Sequence, residues 1–294
     1  MSEQLIQAPP LLSTLTVVEY GESAALGYAA RLLADLGATV TKIEPPQGDH
    51  TRSQGFVAPG ADASTLFAYV NAGKRSVVVD ESTEEGREYL GHLLTSAEVI
   101  LDGHTSSHWQ RLGLDFESLP SSGQCRLAVS LTPFGRFGER AEWAASHLTV
   151  HHNGGEAYAF PGGVSWLRYP NREPIRVPGH IAELDAGTAA GVAMLGWLAS
   201  EREPTLLELT WQEAAMALSR QDIVKWPNDR FFDTRATRQL PVLGLVECSD
   251  GWMEIYPSEQ HMWDRLVEAV DSPEWAQTLG STANARMENT AELN

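Results

Sequence analysis

Four histidines are the first residues of this chain whose type and spacing could do chemistry: His147, His151, His152 and His180. The segment HLTVHH has a helical pattern and places His147 and His151 four residues apart on one face, a spacing that suits a metal ion. No carboxylate or cysteine follows in ligand-like register, so we predict no metal site. Because imidazole exchanges protons near neutral pH, His147 and His180 are candidates for proton transfer, although a structural histidine is the more frequent case.

Several familiar catalytic and nucleotide-binding motifs are missing from the sequence. After the first predicted strand only Gly21 and Gly27 occur, so there is no GxGxxG fingerprint and NAD is not expected. The sequence also has no GxxxxGK[ST] loop, no HExxH and no GxSxG. We therefore expect no bound cofactor.

Composition narrows the class of protein. The 294 residues are 43% hydrophobic and 20% charged, as in a soluble globular protein. The net charge of −18 disfavours nucleic acid and anionic membranes as partners, so an anionic ligand would need a local basic pocket. Cys125 and Cys248 form neither a CxxC pair nor a disulfide framework, which predicts buried reduced thiols. With no leader-like segment and no apolar run of about 20 residues, a cytoplasmic protein is expected.

The elements that must position these residues alternate between strand and helix. Strand patterns cover 15–20, 40–43, 76–80, 99–101, 127–131 and 206–210, with amphipathic helices after the first and third of them. Strands separated by helices of about 12 residues need crossover connections. The predicted fold is therefore α/β, a Rossmann-like open parallel sheet with helices on both faces.

The second half of the chain is less regular. Residues 151–180 predict a long ordered loop, 186–200 a helix of small residues, and 245–256 a hairpin turning at 249–251. After about residue 220 the composition becomes polar, which predicts a connection. We place a domain boundary there, giving a large domain at 1–220 and the start of a smaller one at 221–294.

Four motifs in the first half follow or open strand-like runs: KIEPPQGDHTR at 42–52, NAGKRSVVVD at 71–80, RLGLDFESL at 111–119 and SLTPFGRFGE at 130–139. In this order and spacing, and with further matches near 183–187 and 244–255, the chain resembles the class III CoA-transferases. This family includes formyl-CoA transferase, carnitine CoA-transferase and α-methylacyl-CoA racemase. The resemblance covers roughly residues 14–290.

The resemblance implies a large Rossmann-like domain, a smaller second domain, and two subunits interlocked as rings. Family members commonly have about 400 residues, so we expect the returning C-terminal segment to be missing from this chain, either because the sequence is a fragment or because a separate polypeptide supplies the remainder. An uncovered sheet edge or face would be rare in a monomer, and we expect a homodimer or a hetero-oligomer with a related chain. The family's glycine-rich flap is also replaced, by RATRQLPVLG at 235–244.

The resemblance implies that the catalytic carboxylate is Glu183 of IAELDAG, where the family has aspartate. An oriented carboxylate can attack a thioester and form a covalent mixed anhydride. The extra methylene moves the carboxylate by about 1.5 Å, which puts activity in doubt and suggests that Glu183→Asp would preserve or raise it. Two alternatives remain: Glu183 caps a helix that begins near Asp185, or Asp185 is the nucleophile.

The resemblance also implies positions that contact coenzyme A, which is a substrate here and not a cofactor. They follow the first four strands, and are Ser23, Ala24, Ala25, Pro45, Val79, Gly103, His104, Thr105, Arg111 and Leu112. The motif cations that could meet its phosphates are Arg52, Lys74, Arg75 and Arg111. The alternative for these four cations is ordinary solvated surface charge.

Three functions remain open. The first is transfer of CoA between carboxylic acids by Glu183. The second is an acyl-CoA racemase or isomerase, although the family's racemase histidine aligns with Ser146 and His147 is its neighbour. The third is a non-catalytic or partner-dependent subunit of a CoA-transferase complex.

Overall fold

The computed structural model describes residues 9–159, 169–231, 234, 244–257 and 259–293. They divide into two compact units, one of residues up to 156 together with 176–220, the other of 157–175 with 221–294. No described helix has the length and apolar character needed to cross a membrane.

The first unit is built on a six-stranded sheet in the order β3-β2-β1-β4-β5-β6, and every neighbouring pair is parallel. The strands are β1 (Thr16–Tyr20), β2 (Thr39–Glu44), β3 (Arg75–Val78), β4 (Val99–Asp102), β5 (Leu127–Thr132) and β6 (Thr205–Thr210). Its helices are α1 (Ala24–Asp35), α2 (Thr65–Val70), α3 (Glu84–Ser96), α4 (Ser106–Leu112), α5 (His147–Asn153), α6 (Ile181–Leu198) and α7 (Trp211–Leu218). Short 3₁₀ helices cover His50–Ser53, Phe116–Ser121 and Glu156–Ala159.

Alternating strand residues feed two separate cores. Val17, Val40 and Leu101 face a core shared with α1, α5, α6 and α7. Val18, Ile43 and Ile100 face the opposite core, shared with α3, α4 and the 3₁₀ helix Phe116–Ser121. The predicted open parallel sheet with helices on both faces is confirmed.

The second unit contains an antiparallel hairpin and short helices. Strands β7 (Gly244–Cys248) and β8 (Gly251–Ile255) pair as predicted. The helices are α8 (Arg220–Asp229), α9 (Gln260–Ala269), α10 (Glu274–Leu279), α11 (Ala283–Glu288) and α12 (Thr290–Leu293). Trp263, Ala276 and Leu293 form its small core.

Several sequence-based predictions were wrong in detail. Helix α6 begins at Ile181 with His180 as its N-cap, so Glu183 lies inside the first turn and does not cap a helix near Asp185. The connection predicted after 220 is helix α8, because its polar residues include good helix formers and no glycine. The predicted loop 151–180 contains the end of α5 and a 3₁₀ helix, and its residues 160–168 lie outside the described ones. Cys125 is buried as predicted, whereas Cys248 is only partly buried.

Candidate active site

A cleft opens at the carboxyl edge of the sheet where the strand order reverses, between β1 and β4. Ligands of open parallel sheets bind at this point. Gly21 follows β1 with φ +130°, and a Cβ atom there would lie 3.1 Å from the Cα of Gly103, which follows β4. Glycine at position 21 therefore lets the two strand exits approach each other at the floor of the cleft.

The cleft has a volume of about 330 Å³. Its apolar walls include Ile43, Pro45, Pro46 and Val79. The rest of the lining is Tyr20, Gly21, Glu22, Gln47, Asp80, Glu81, Ser82, His104 and His108. These residues bring three carboxylates and no lysine or arginine to the cleft surface, so positive charge for a phosphate would have to come from outside this lining.

Asp102, at the end of β4, fixes the imidazole of His104. Its fully buried carboxylate accepts a hydrogen bond from Nε1 of Trp109 at 2.9 Å, and its other oxygen lies 2.7 Å from Nδ1 of His104. Asp102 is therefore an acceptor for two donors, which places a proton on Nδ1 of His104. The Nε2 atom of His104 is the one left for a ligand in the cleft.

Tyr20 fixes a second imidazole beside the first. The Tyr20 hydroxyl donates to Glu81 and lies 2.8 Å from Nε2 of His108. The ring of His108 stacks on His104 with centroids 3.8 Å apart and planes 15° apart. Nη2 of Arg111 lies 3.3 Å from Nδ1 of His108.

The pKa values of this cluster follow from its burial. Burial, together with the neighbouring His104, lowers the pKa of His108 to about 4, so that its ring is neutral at pH 7. Burial and the hydrogen bond to Glu81 raise the pKa of Tyr20 above its ordinary value. Tyr20 and His108 therefore present neutral rings to the cleft.

The residues expected to contact CoA are distributed around the cleft. Pro45, Val79 and His104 line it, and Gly103 packs against Gly21, which also lines it. The others lie on the two adjoining helices: Thr105 at the N-cap of α4, Arg111 and Leu112 in its last turn, Ser23 at the N-cap of α1, and Ala24 and Ala25 buried in its first turn. The carboxyl edge thus carries eight of the ten positions, with Arg111 and Leu112 at the far end of α4, and the Ser23 hydroxyl is already engaged by the backbone of Leu26.

The expectation that Lys74 meets a phosphate or lies solvated at the surface is wrong. Its ammonium group is 2% exposed and contacts Glu19 at 2.6 Å, the carbonyl of Gly27 at 2.7 Å and the side chain of Asn71 at 2.8 Å. Glu19 also binds Lys42 at 2.8 Å. Burial lowers the pKa of Lys74 to about 8, and the ammonium group is used inside the fold.

Arg52 is also paired with a carboxylate, although its side chain is 36% exposed. Its guanidinium binds both oxygens of Glu44, at 2.6 and 2.7 Å. This pair lowers the pKa of Glu44 to about 2. Of the four motif cations, Arg75 and Arg111 keep exposed side chains.

Glu183 lies on the other face of the sheet, in the first turn of α6. The side chain is 8% exposed, and its Oε2 atom lies 2.5 Å from Nδ1 of His180. Nδ1 of His147, at the start of α5, lies 3.6 Å from the same oxygen. The structure therefore brings together the three residues proposed as catalytic: Glu183, His147 and His180.

Electrostatics keep Glu183 ionised. Burial alone would raise the pKa of this carboxyl group, but the imidazoles of His147 and His180 outweigh the effect and bring the pKa below its ordinary value. An ionised carboxylate at this depth is a potential nucleophile.

Close helix packing sets the position of Glu183. A Cβ atom at Gly187 would lie 2.7 Å from the carbonyl oxygen of Ala25, and one at Gly191 would lie 2.8 Å from Leu32. Helices α1 and α6 therefore run in the same direction and in close contact. Glu183, one turn before Gly187, lies at the level of the N-terminus of α1 and thus at the carboxyl edge.

His147 stands where a proton-transfer residue could act, and Ser146 does not. Ser146 is the N-cap of α5, and its hydroxyl is used in a reciprocal capping box with Thr149. The His147 side chain is 4% exposed, and its ring lies 5.5 Å from that of His151.

One group of possible metal ligands occurs among the described residues: Glu22, Asp49 and His50. Asp49 is already bound by Lys42 at 2.6 Å and by the backbone of Thr51 at 2.7 Å. These contacts within the protein account for the position of the Asp49 carboxylate without a metal ion.

Sequence reasoning missed Tyr20, Glu81, Asp102 and His108. The spacing of HTSSHW after a strand that ends in aspartate could have identified Asp102 and His108, since His104 and His108 lie four residues apart, but it could not have identified Tyr20. Glu81 could not be found this way, because it reaches Tyr20 from another strand end.

Comparison with known proteins supports the family resemblance. Residues 12–294 match the model of CoA-transferase family III. The chain is 29% identical over 262 residues to succinyl-CoA:(R)-benzylsuccinate CoA-transferase subunit BbsE of Thauera aromatica, covering 84% of this chain and 62% of that protein. It is 32% identical over 193 residues to succinate–glutarate CoA-transferase of Agrobacterium fabrum, covering 64% of this chain and 46% of that one.

The fold has a solved counterpart. The crystal structure of a CAIB/BAIF family protein from Brucella suis superposes with a TM-score of 0.79 at 26% identity, covering 97% of this chain and 76% of that one. The present chain spans about half to two thirds of the length of the two curated relatives.

Proposed function

Because this chain belongs to CoA-transferase family III, we propose that it transfers CoA between carboxylic acids with Glu183 as the covalent nucleophile. The observation that carries the proposal is the buried, ionised Glu183 carboxylate, held through one oxygen by His180 at 2.5 Å. It lies at the carboxyl edge of the sheet, and the family resemblance matches it to the catalytic aspartate.

The proposed first step is attack of a Glu183 oxygen on the thioester carbonyl carbon. A C–O bond forms, the C–S bond breaks, and the electron pair leaves with the CoA thiolate. A mixed anhydride remains on the enzyme. The acceptor acid and the thiolate then complete the exchange, and no cofactor is required.

Succinyl-CoA is the first donor to test, since the names of several relatives contain it. The acceptor class follows those names as well, namely small dicarboxylic acids. The coenzyme A part of the thioester would occupy the cleft that Pro45, Val79 and His104 line. We propose an oligomer as the active form.

Trapping the anhydride tests the proposal. The chain is incubated with succinyl-CoA and a panel of other acyl-CoAs, then with hydroxylamine, and peptides are analysed by mass spectrometry. We expect a hydroxamate at Glu183 and none in Glu183→Gln. A hydroxamate that persists in the Gln variant would move the nucleophile elsewhere, first to Asp185, and no adduct with any acyl-CoA would overturn the proposal.

A partner-dependent subunit is the second candidate. Two motif cations, Arg52 and Lys74, are already paired with Glu44 and Glu19, and the residues lining the cleft include no lysine or arginine. A second, related chain could supply the missing positive charge for the phosphates. Activity that appears only on mixing with a related CoA-transferase chain would support this candidate, and full activity of the chain alone would exclude it.

A racemase or isomerase is separated by its product. The buried His147 beside Glu183 is the observation that favours it. Deuterium entering the α-carbon of an acyl-CoA without exchange of the acid would indicate this reaction.

A further inference from the structure

The two oxygens of Glu183 have different surroundings. Oε2 faces the Nδ1 atoms of both His180, at 2.5 Å, and His147, at 3.6 Å. No hydrogen bond to Oε1 is present within the part of the chain that the structure describes. One oxygen is thus held and the other is available.

The contact with His180 depends on the length of the glutamate side chain. His180 is the N-cap of α6 and Glu183 lies three residues later, so the backbone of one helical turn fixes the distance between them. An aspartate carboxylate would end about 1.5 Å nearer the helix backbone. A contact of 2.5 Å would then lengthen to roughly 4 Å, beyond hydrogen-bonding range.

His147 contributes a second contact to the same oxygen. Its ring is buried, and neither nitrogen has a hydrogen-bond partner among the described residues. A buried imidazole N–H without an acceptor is unfavourable. The nearest carboxylate oxygen is Oε2 of Glu183, so the proton of His147 is best placed on Nδ1, facing this carboxylate.

We propose that His180 and His147 are positioning residues that hold Oε2 of Glu183, leave Oε1 as the attacking atom, and require glutamate at position 183. This inference rests on the proposed transferase function and adds the residues that make its unusual nucleophile work. Oε1 forms the bond to the acyl carbon as the thiolate leaves. No proton moves, and both histidines stay on Oε2.

This role of His180 reverses the expected effect of Glu183→Asp on activity. Sequence comparison alone suggests that Glu183→Asp restores the family geometry. The contact with His180 predicts instead that Glu183→Asp lowers the rate of acyl capture, because the shorter side chain cannot reach the imidazole that orients it.

Loss of an imidazole should also change the pH dependence of acyl capture at Glu183. The ionisable groups that face Glu183 are His180 at the start of α6 and His147 on α5, with His151 behind the latter. Helix α1 meets α6 through Ala25, Ala29 and Leu32 and through the Cβ atom of Tyr28, the ionisable residue at this contact, and the buried residues of α7 are Trp211 and Ala215. Without an imidazole, burial dominates and the pKa of Glu183 rises. The acid limb of the pH–rate profile for acyl capture at Glu183 should then move to higher pH.

The experiment measures the rate of acyl capture at Glu183, with succinyl-CoA and hydroxylamine, across a pH series. We compare the wild-type chain with His180→Ala, His180→Gln, Glu183→Asp and the double variant Glu183→Asp/His180→Ala. His92→Ala, on an exposed helix face, is the matched histidine control. Circular dichroism and thermal melting establish that each variant is folded.

We expect His180→Ala and Glu183→Asp each to lower the capture rate by roughly 10- to 100-fold. His180→Gln, which keeps an N–H donor, should recover part of the loss, and His92→Ala should lose nothing. The double variant should be no slower than Glu183→Asp, because both changes remove the same contact between positions 180 and 183. The acid limb should move upward in His180→Ala.

Glu183→Asp that captures as fast as wild type, or an acid limb unmoved by His180→Ala, would overturn the positioning role while leaving Glu183 as the nucleophile. If wild type forms no adduct, the proposed function fails, and ¹³C NMR of the Glu183 carboxyl group decides the remaining question. Its titration midpoint should rise in His180→Ala, and an unchanged midpoint would overturn the inference independently of activity.

Discussion

The Tyr20 hydroxyl lies between Nε2 of His108, 2.8 Å away, and the carboxylate of Glu81, to which it donates its one proton. Because that proton is used, the hydroxyl oxygen must accept from His108, whose own proton is then on Nε2. Nδ1 of His108 remains the acceptor for Arg111, 3.3 Å away. One consistent set of donors and acceptors therefore defines the tautomer of a buried histidine at the cleft.

We predict that His108 stays neutral down to a pH of about 4, well below its ordinary pKa of 6.5. Burial is the main cause, and the neighbouring His104 adds to it. Between these two values the unfolded chain takes up a proton that the folded chain does not, so stability falls as the pH falls through this range. Imidazole ¹⁵N NMR, assigned with a His108→Gln variant, should show the Nε2–H tautomer, and titration above pH 6 would contradict the prediction.

The buried network around Glu19 should be sensitive to loss of its negative charge. Glu19 is fully buried and binds both Lys42 and Lys74, so Glu19→Gln leaves two buried ammonium groups without their shared partner. We expect a loss of about 3–5 kcal/mol in the free energy of unfolding.

The matched control is Glu98→Gln, which removes the same charge from a partly exposed pair with Arg202 at 3.3 Å. Exposed pairs contribute about 0–1 kcal/mol. Urea unfolding of both variants makes the comparison. Equal effects would show that burial of the Glu19 network does not matter.

Acid sensitivity should also trace to Glu44. Arg52 holds the pKa of Glu44 at about 2, against an ordinary value of 4.5. The group therefore contributes stability that is fully present above pH 4.5 and is lost as the pH falls towards 2. Arg52→Gln should shift acid unfolding, followed by circular dichroism, to higher pH, whereas an unchanged midpoint would mean that this pair contributes little.

The sheet was predictable from the sequence because its strands are short, apolar and separated by helices. All six strand positions were predicted within one or two residues, and the parallel order follows from the crossover connections. The start of α6 was not predictable to better than five residues. Its first turn contains a polar N-cap and an acidic residue, which fit a loop equally well.

The candidate site was predictable only in part. Glu183, His147 and His180 were chosen from sequence and are neighbours in space. The internal use of Lys74 was not predictable, because its partner Glu19 lies 55 positions away on another strand. Composition indicates that a lysine is charged, but only the packed structure shows which carboxylate neutralises it.

The last prediction concerns the contact that sets Glu183 in place. Alanine normally favours a helix over glycine by about 1 kcal/mol. At Gly187, however, the new methyl group would lie 2.7 Å from the carbonyl oxygen of Ala25, so α6 must move away from α1. We expect Gly187→Ala to destabilise the fold by about 1–3 kcal/mol and to slow acyl capture at Glu183.

Gly196 on the same helix provides the matched control, because a Cβ atom there meets nothing within 4 Å. Gly196→Ala should be neutral or stabilising by up to about 1 kcal/mol, with acyl capture unchanged. Thermal unfolding and the capture rate are measured for both variants. A Gly187→Ala chain as stable and as fast as Gly196→Ala would show that the close approach of α1 and α6 does not position the nucleophile.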